Sequence, residues 1–168
     1  MTTGMENGLP TSISASTAPP IDSGMSIAAC DPLLPADHPA WTSVERQTLP
    51  DLLAGSDVVS LHVPLTETTR HMLDAGALAL MKPDAILINA ARGGIVDEMA
   101  LCEALRGGRL GGAALDVFER EPVDATAGAR FAQVPNLILT PHIAGVTDES
   151  NVRVSGVTAQ AVARHLRG

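Results

Sequence analysis

The sequence predicts an α/β fold in which a doubly wound parallel sheet carries helices on both faces. Apolar runs of strand length alternate with helical segments, and short links join them. Hydrophobic residues make up 45% of the chain but aromatic residues only 2%, so the core must consist of Ala, Val, Leu and Ile, as in buried parallel sheets. A chain of 168 residues has room for one domain with a sizeable core.

Five apolar runs are predicted as strands. They are Ser26–Cys30, Asp57–Val63, Ala85–Asn89, Ala113–Val117 and Leu137–Thr140. The first run stops at the turn signal Asp31-Pro32, and residues 32–47 are expected to form a loop around a brief ordered stretch.

Four other segments are predicted as helices. They are the segment that begins at Thr48, then Asp74–Met81, Asp97–Arg106 and Asp148–Leu166. Thr48 and Thr147 are candidate N-caps for the first and the last helix. Gly107-Gly108 is typical of a helix C-terminus and ends the third helix.

The first 23 residues are expected to form a flexible tail. They are rich in Ser, Thr, Pro and Gly and show no sustained apolar period, so they bury too little surface to offset the entropy of ordering. Residues 24–168 are expected to form the folded domain together with its C-terminal helix.

Composition excludes several classes of function. Eleven Lys and Arg against nineteen Asp and Glu give a net charge of −8, so neither nucleic acid nor an anionic membrane surface is expected as a partner. Neither a membrane-spanning apolar run nor a secretory signal is present, and the expectation is a soluble cytoplasmic protein. Cys30 and Cys102 have no metal-ligand spacing around them and are expected to be reduced core thiols, and no metal site is expected.

Polar residues follow the predicted strands. They are Asp31, His62, Asn89 with the nearby Arg92, Asp116 and His142. Ligands of open α/β sheets bind outside the carboxyl ends of the strands, so this pattern predicts a binding site at that edge.

Two of these residues have chemistry suited to particular ligand groups. Asp31 could accept hydrogen bonds from a ribose diol and would repel a 2′-phosphate, which favours NAD over NADP, or it could simply form the turn before Pro32. Arg92 could hold a carboxylate with its rigid guanidinium fork, or it could be a surface arginine. The adjacent Gly93-Gly94 favour close approach of another group to this backbone.

His142 and Glu121 are a candidate proton-transfer pair. A carboxylate hydrogen-bonded to an imidazole orients the ring and favours its protonated form, which suits a proton donor near neutral pH. Each residue taken singly is more typical of a solvated loop than of a catalytic site, and their spacing in the sequence does not establish that they meet.

The chain resembles the NAD-binding domain of the D-isomer-specific 2-hydroxyacid dehydrogenases, a Rossmann-like fold. The similarity runs from about Gly24 to the C-terminus. Its motifs are Ser56–Leu65 (SDVVSLHVPL), Met81–Asp84 (MKPD), Ile88–Asp97 (INAARGGIVD), Gly112–Pro122 (GAALDVFEREP) and Asn136–Gly145 (NLILTPHIAG). The resemblance implies an NAD-dependent oxidoreductase that reduces 2-keto acids such as hydroxypyruvate or glyoxylate, or acts on a phosphoglycerate-like 2-hydroxy acid. A cytoplasmic homodimer is expected.

The resemblance also implies roles for individual residues. The catalytic residues would be Arg92, Glu121 and His142, with His142 donating a proton to the carbonyl oxygen as NADH delivers hydride to its carbon. Asp31 would bind the adenosine ribose and Asp116 the nicotinamide carboxamide. The remaining cofactor-binding residues would be His62, Pro64, Ala90, Arg92, His142, Ala144 and Gly145.

One motif of the family is absent. Family members carry Gly-x-Gly-x-x-Gly roughly 20 residues before the ribose acid, and no such motif occurs in this chain. The Rossmann-like sheet is therefore expected to be incomplete at its first strand–helix unit, and the family's preceding substrate domain has no counterpart in the sequence. The gap would be filled by the N-terminal tail, by a strand from another chain, or by rearrangement of the sheet. A truncated inactive remnant and an NAD-linked corepressor-like binding module are the alternatives to an enzyme.

Overall fold

The computed structural model describes residues 12–15 and 26–166, the former as backbone. These residues form a seven-stranded sheet of order β3-β2-β1-β4-β5-β6-β7. The strands are β1 (Ser12–Ala15), β2 (Ala28–Cys30), β3 (Glu45–Arg46), β4 (Val58–His62), β5 (Ile86–Asn89), β6 (Gly112–Leu115) and β7 (Leu137–Leu139). Strands β4 to β7 pair in parallel, as do β2 and β3, which confirms the prediction of a Rossmann-like parallel sheet.

The described residues contain the four predicted helices and a further short one. They are α1 (Leu49–Gly55), α2 (Ala75–Leu78), α3 (Glu98–Arg106), α4 (Ala125–Gly128) and α5 (Asp148–Leu166), with 3-10 turns at Pro39–Thr42 and Ala129–Phe131. Thr48 caps α1 by accepting a hydrogen bond from the Asp51 amide at 3.3 Å, and Thr147 caps α5 through the Ser150 amide at 3.0 Å. The 3-10 turns, α4 and the two-residue β3 are too short to give a periodic signal in the sequence.

Strand β1 fills the predicted gap in the sheet. It pairs antiparallel with both β2 and β4, so that Ser14 lies between Ala29 and Ser60. Four residues of the segment expected to be a flexible tail therefore form a strand, and the rest of residues 1–23 lies outside the described residues. Polar Ser-Ile-Ser-Ala has little strand propensity, and its place in the sheet follows from the unpaired edges of β2 and β4.

The core lies between the sheet and helices α1 to α3. Leu52 and Leu53 of α1, Leu87 of β5 and Leu101 of α3 are buried in one apolar cluster. Cys102 belongs to the same cluster, and both cysteines are free thiols. This packing fixes the carboxyl ends of β4, β5 and β6 relative to one another.

Helix α5 contrasts with this core. None of its residues is buried, although it carries the apolar residues Val152, Val154, Val157, Val162 and Leu166. No helix in the described part of the chain is both long enough and apolar enough to cross a membrane.

Candidate active site at the carboxyl edge of the sheet

Three adjacent strands deliver the predicted catalytic residues to one edge of the sheet. Arg92 follows β5, Glu121 lies in the loop after β6, and His142 follows β7. Because β5, β6 and β7 pair in parallel in this order, their carboxyl ends share an edge.

The structure brings His142 and Glu121 together. The imidazole Nδ1 lies 2.8 Å from Glu121 Oε2, and the other carboxylate oxygen, Oε1, accepts a hydrogen bond from the Phe118 amide at 2.9 Å. The hydrogen bond to His142, supported by the Phe118 amide, holds the pKa of Glu121 below its ordinary value. An ionised carboxylate fixed at Nδ1 orients the ring and leaves Nε2 to face an external group.

The backbone at His142 is in the left-handed region, with φ of 55°. A non-glycine residue in this conformation carries strain that its surroundings must hold. Here the His142 amide donates to the Thr140 carbonyl at 3.0 Å, which keeps the turn closed. With this backbone conformation, the imidazole that follows β7 meets the Glu121 carboxylate.

Asp116 anchors the segment that carries His142. Its carboxylate accepts hydrogen bonds from the Thr140 hydroxyl at 2.5 Å, the Ile143 amide at 2.8 Å and the Ala144 amide at 2.9 Å. Burial of Asp116 opposes its ionisation, but these hydrogen bonds outweigh burial and hold its pKa below the ordinary value. The family resemblance implies a nicotinamide contact for Asp116, and that contact stays a prediction; within the chain, its carboxylate binds the turn around His142.

Arg92 lies in a turn that is organised by a buried asparagine. Asn89 donates from its side chain to the Arg92 carbonyl at 3.0 Å and accepts from the Ala91 amide at 3.1 Å. The Arg92 side chain is exposed and donates to the Ala91 carbonyl at 2.6 Å. Asn89 therefore holds the turn by hydrogen bonds. Among the described residues the Arg92 guanidinium hydrogen-bonds to the Ala91 carbonyl alone, and it can exchange that contact for a ligand carboxylate.

A cavity of about 780 Å³ opens beside the His142–Glu121 pair. Its lining is largely apolar and includes Phe118, Val123, Phe131 and Leu139 in addition to that pair. Apolar walls with a few convergent polar groups are typical of small-molecule sites.

The loop that carries Glu121 is also held from its other side, by contacts that sequence reasoning missed. Glu98 accepts hydrogen bonds from Arg130 at 2.9 Å and from the Glu119 amide at 2.6 Å. A signal for this network was present, because Glu98, Leu101, Cys102 and Leu105 form one stripe of α3, and an acid on an apolar stripe needs a partner.

The candidate ribose residue lies at the end of β2. Asp31 is buried, and its Oδ1 accepts hydrogen bonds from the Leu33 and Leu34 amides at 2.9 and 3.2 Å. This is the turn geometry that the sequence offered as the alternative interpretation. A cavity of about 460 Å³ adjoins Asp31 and is also lined by Arg46, Thr48 and Leu49.

The other predicted cofactor residues lie along the same edge. His62 ends β4 with its Nε2 2.9 Å from the Ser60 hydroxyl, and the Pro64 carbonyl accepts from the Thr69 hydroxyl at 2.7 Å. Ala90 directly follows β5, and Ala144 and Gly145 lie in the exposed turn beyond His142. Among the described residues, no cluster of His, Cys, Asp or Glu could hold a metal ion.

Comparison with known proteins identifies a family for this architecture. Residues 18–144 match the family model described as D-isomer specific 2-hydroxyacid dehydrogenase, NAD binding domain. The (S)-sulfolactate dehydrogenase of Chromohalobacter salexigens is 58% identical over 144 residues, which cover 85% of this chain and 46% of that protein. The D-3-phosphoglycerate dehydrogenase of Methanocaldococcus jannaschii is 40% identical over 146 residues, which cover 86% of this chain and 27% of that protein.

Solved structures give the same result. The D-lactate dehydrogenase from Aquifex aeolicus, determined in complex with NAD and lactic acid, superposes with a TM-score of 0.74 at 35% identity. The match covers 86% of this chain and 47% of that one. The chain thus spans about half the length, or less, of the relatives that it matches.

Proposed function

Because this chain belongs to the D-isomer specific 2-hydroxyacid dehydrogenases, we propose that it carries the proton-transfer part of an NAD-dependent enzyme that interconverts 2-hydroxy acids and 2-keto acids. The observation that carries the proposal is the 2.8 Å contact between His142 Nδ1 and Glu121 Oε2 at the carboxyl edge of the sheet. An imidazole oriented by a carboxylate is suited to donate and accept a proton at its other nitrogen.

Each side chain has a defined part in this reaction. In the reducing direction, the protonated His142 donates from Nε2 to the carbonyl oxygen of the keto acid. Glu121 stabilises the imidazolium before transfer and keeps the ring in place afterwards. Arg92 releases the Ala91 carbonyl and binds the substrate carboxylate with its guanidinium fork.

The residues present fit the two ends of the cofactor NAD. Bound NADH supplies the hydride for reduction. Asp31 lies beside the 460 Å³ cavity, and an oxygen of its carboxylate other than the one in the turn could accept from a ribose hydroxyl. His142 lies on the wall of the larger cavity at the same edge of the sheet. The remaining cofactor contacts proposed along this edge are those of His62, Pro64, Ala90, Asp116, Ala144 and Gly145.

The names of the relatives suggest a narrower substrate class. Sulfolactate and phosphoglycerate are both 2-hydroxy acids with a second anionic group, a sulfonate or a phosphate ester. We propose that this chain also acts on acids with a second anionic group, in preference to lactate or glyoxylate, which have none. The 58% identity with the sulfolactate enzyme supports sulfopyruvate, the keto acid that corresponds to sulfolactate, as the first compound to assay.

A homodimer in the cytoplasm is the expected setting for this activity. The family resemblance suggests the dimer, and apolar side chains exposed on the edge strand β7, Ile138 and Leu139, offer a surface for a partner. Light scattering after size-exclusion chromatography tests this, and a monomer mass at micromolar concentration would contradict it.

The decisive experiment compares the full chain with its His142→Ala variant. NADH consumption is followed with sulfopyruvate, hydroxypyruvate and glyoxylate as substrates. We expect wild-type turnover with a lower KM for sulfopyruvate, and a loss of about 100- to 10,000-fold in kcat on His142→Ala. Equal rates for the two proteins would refute the role of His142.

Binding without turnover is the second candidate, because β1 occupies the first-strand position in the antiparallel direction. Fluorescence transfer from Trp41, whose ring lies 5.5 Å from the Arg46 guanidinium near the smaller cavity, reports NADH binding separately from catalysis. Binding with no turnover would support a module that senses NAD, and absence of both would support an inactive remnant.

A further inference from the structure

Glu98 is a nearly buried acid at the start of α3 that touches the loop carrying Glu121. Its side chain is only 5% exposed, and its Oε2 pairs with Arg130 Nη1 at 2.9 Å. The other oxygen, Oε1, accepts from the Glu119 amide at 2.6 Å. Burial raises the pKa of Glu98, while the Glu119 amide and Arg130 act in the opposite direction.

The side chain of Glu119 in turn contacts Glu98, and it also contacts His71 and Arg130. Its Oε1 accepts from the Glu98 amide at 3.3 Å and lies 3.0 Å from His71 Nε2. Its Oε2 lies 3.6 Å from Arg130 Nη1. Residue 119 is therefore fixed through both its backbone and its side chain, two positions before Glu121.

The preceding residue is fixed as well. The Phe118 carbonyl packs so closely on Gly93 that a Cβ at residue 93 would lie 1.8 Å from the carbonyl oxygen. The Phe118 amide donates to Glu121 Oε1 at 2.9 Å. A displacement of this backbone would therefore move both the Glu121 carboxylate and the turn that carries Arg92.

We propose that Glu98, paired with Arg130, is a positioning residue that holds the Glu121 loop so that Oε2 of Glu121 meets Nδ1 of His142. An apolar side chain of similar volume would suit this stripe of α3 better on energetic grounds, since a buried ion pair gains little net stability. The role of the ion pair is to fix positions, because the two carboxylate oxygens of Glu98 bind two different segments, the backbone at Glu119 and the side chain of Arg130. The proposal rests on the proton-transfer role proposed above for His142.

The test uses Glu98→Gln in the full chain. Glutamine keeps the volume and can still accept from the Glu119 amide, but its NH₂ group faces the Arg130 guanidinium, donor against donor. The readout is NMR of the His142 ring, in which the downfield proton on Nδ1 reports the hydrogen bond to Glu121. We expect this resonance to be lost or shifted in Glu98→Gln, and kcat to fall between about tenfold and a hundredfold with KM changed less than about twofold.

Asp97→Ala is the matched control. Asp97 is the N-cap of the same helix, and its side chain accepts hydrogen bonds from the Met99 and Ala100 amides, both at 3.0 Å. Within the described part of the chain, the Asp97 side chain has no hydrogen bond with Glu119. We expect Asp97→Ala to lower the melting temperature but to keep the Nδ1 proton resonance. Loss of that resonance in both variants to the same extent would show a purely structural role and overturn the proposal.

A second variant keeps the proposal testable if Glu98→Gln fails to fold. Arg130→Lys retains the charge opposite Glu98 and should preserve the resonance, while Arg130→Met should weaken it as Glu98→Gln does. An unchanged resonance in Arg130→Met would contradict the proposal. Failure of the wild-type chain to turn over would refute the proposed function alone, because the NMR comparison decides the positioning role independently.

Discussion

The two halves of the sheet differ in how their carboxyl ends are built. At β6 and β7 the polar residues are bonded to one another's loops, as Asp116 is to the turn around His142. At β2, β4 and β5 they are bonded to their own neighbours, as Asp31 is to Leu33, His62 to Ser60 and Asn89 to Ala91. The comparison shows that consecutive strand–loop units bring His142 and Glu121 together without a contact from the first unit among the described residues.

The direction of β1 explains why the first half lacks an equivalent structure. Ser12 pairs with His62 and Ala15 with Val59, so this strand begins at the edge where its parallel neighbours end. The C-terminal end of β1 therefore lies at the opposite edge of the sheet. It does not lie at the edge where the turn after the first strand binds pyrophosphate in doubly wound sheets.

The largest expected effect concerns Gly93, where the two most closely packed loops of the site meet. A Cβ in Gly93→Ala would lie 1.8 Å from the Phe118 carbonyl oxygen, and backbone on both sides cannot give way cheaply. We expect a loss of about 3 kcal/mol in the free energy of unfolding, measured by urea denaturation. The His142 ring resonance should shift as well.

Gly55→Ala is the control for Gly93→Ala, since nothing lies within 4 Å of a Cβ placed at that helical glycine. It should be neutral or stabilising by about 0.5 kcal/mol, because alanine is the better helix former. If Gly93→Ala were as mild as Gly55→Ala, the loop contact described here would be wrong.

The next effect tests whether β1 completes the sheet. Ser14 pairs with Ala29 on one side and Ser60 on the other, so its amide is directed to a neighbouring strand. Ser14→Pro removes that donor and should cost about 2 kcal/mol in the free energy of unfolding. Hydrogen exchange should show faster exchange in β2 and β4 while β6 stays protected. Identical exchange in the two proteins would mean that β1 does not hold this position in solution.

The strands that consist of an apolar run were predicted from the sequence. Strand β1, which depends on its neighbours in the sheet, was not. Apolar content identifies predicted strands such as Leu137–Thr140 in the sequence. Residue type identifies the helix caps Thr48 and Thr147. Strand β1 has no such signal, because its pairing depends on the vacant edges of β2 and β4.

The site shows the same division between local and long-range information. Motif similarity identified His142 and Glu121, but only the fold shows that they meet at 2.8 Å. Arg130 was not predicted at all, because its partner Glu98 is 32 residues away in the sequence. Ion pairs of this separation depend on tertiary packing, which periodicity does not encode.

A pH-dependent effect is expected at Asp116, whose folded-state pKa is held below its ordinary value. A lowered carboxyl pKa gives stability that is present above the unfolded value, roughly pH 3.9, and is lost as the pH falls through the folded value. Asp116→Asn should therefore lower the free energy of unfolding by about 2 kcal/mol at pH 7. The difference in this free energy between variant and wild type should become smaller below about pH 4. Urea unfolding of both proteins across this pH range measures the difference. A difference that stays constant with pH would contradict the lowered pKa of Asp116.

The smallest effect compares two helix caps. Thr48→Ala should cost about 1 kcal/mol in the free energy of unfolding, because α1 buries Leu52 and Leu53 in the core and its fraying exposes them. Thr147→Ala should change global stability by less than about 0.5 kcal/mol, because α5 buries none of its residues and can fray on its own. Circular dichroism during urea unfolding compares the two directly. Equal costs would mean that α5 is packed against a partner in solution, and its apolar residues would then be the first place to look for that interface.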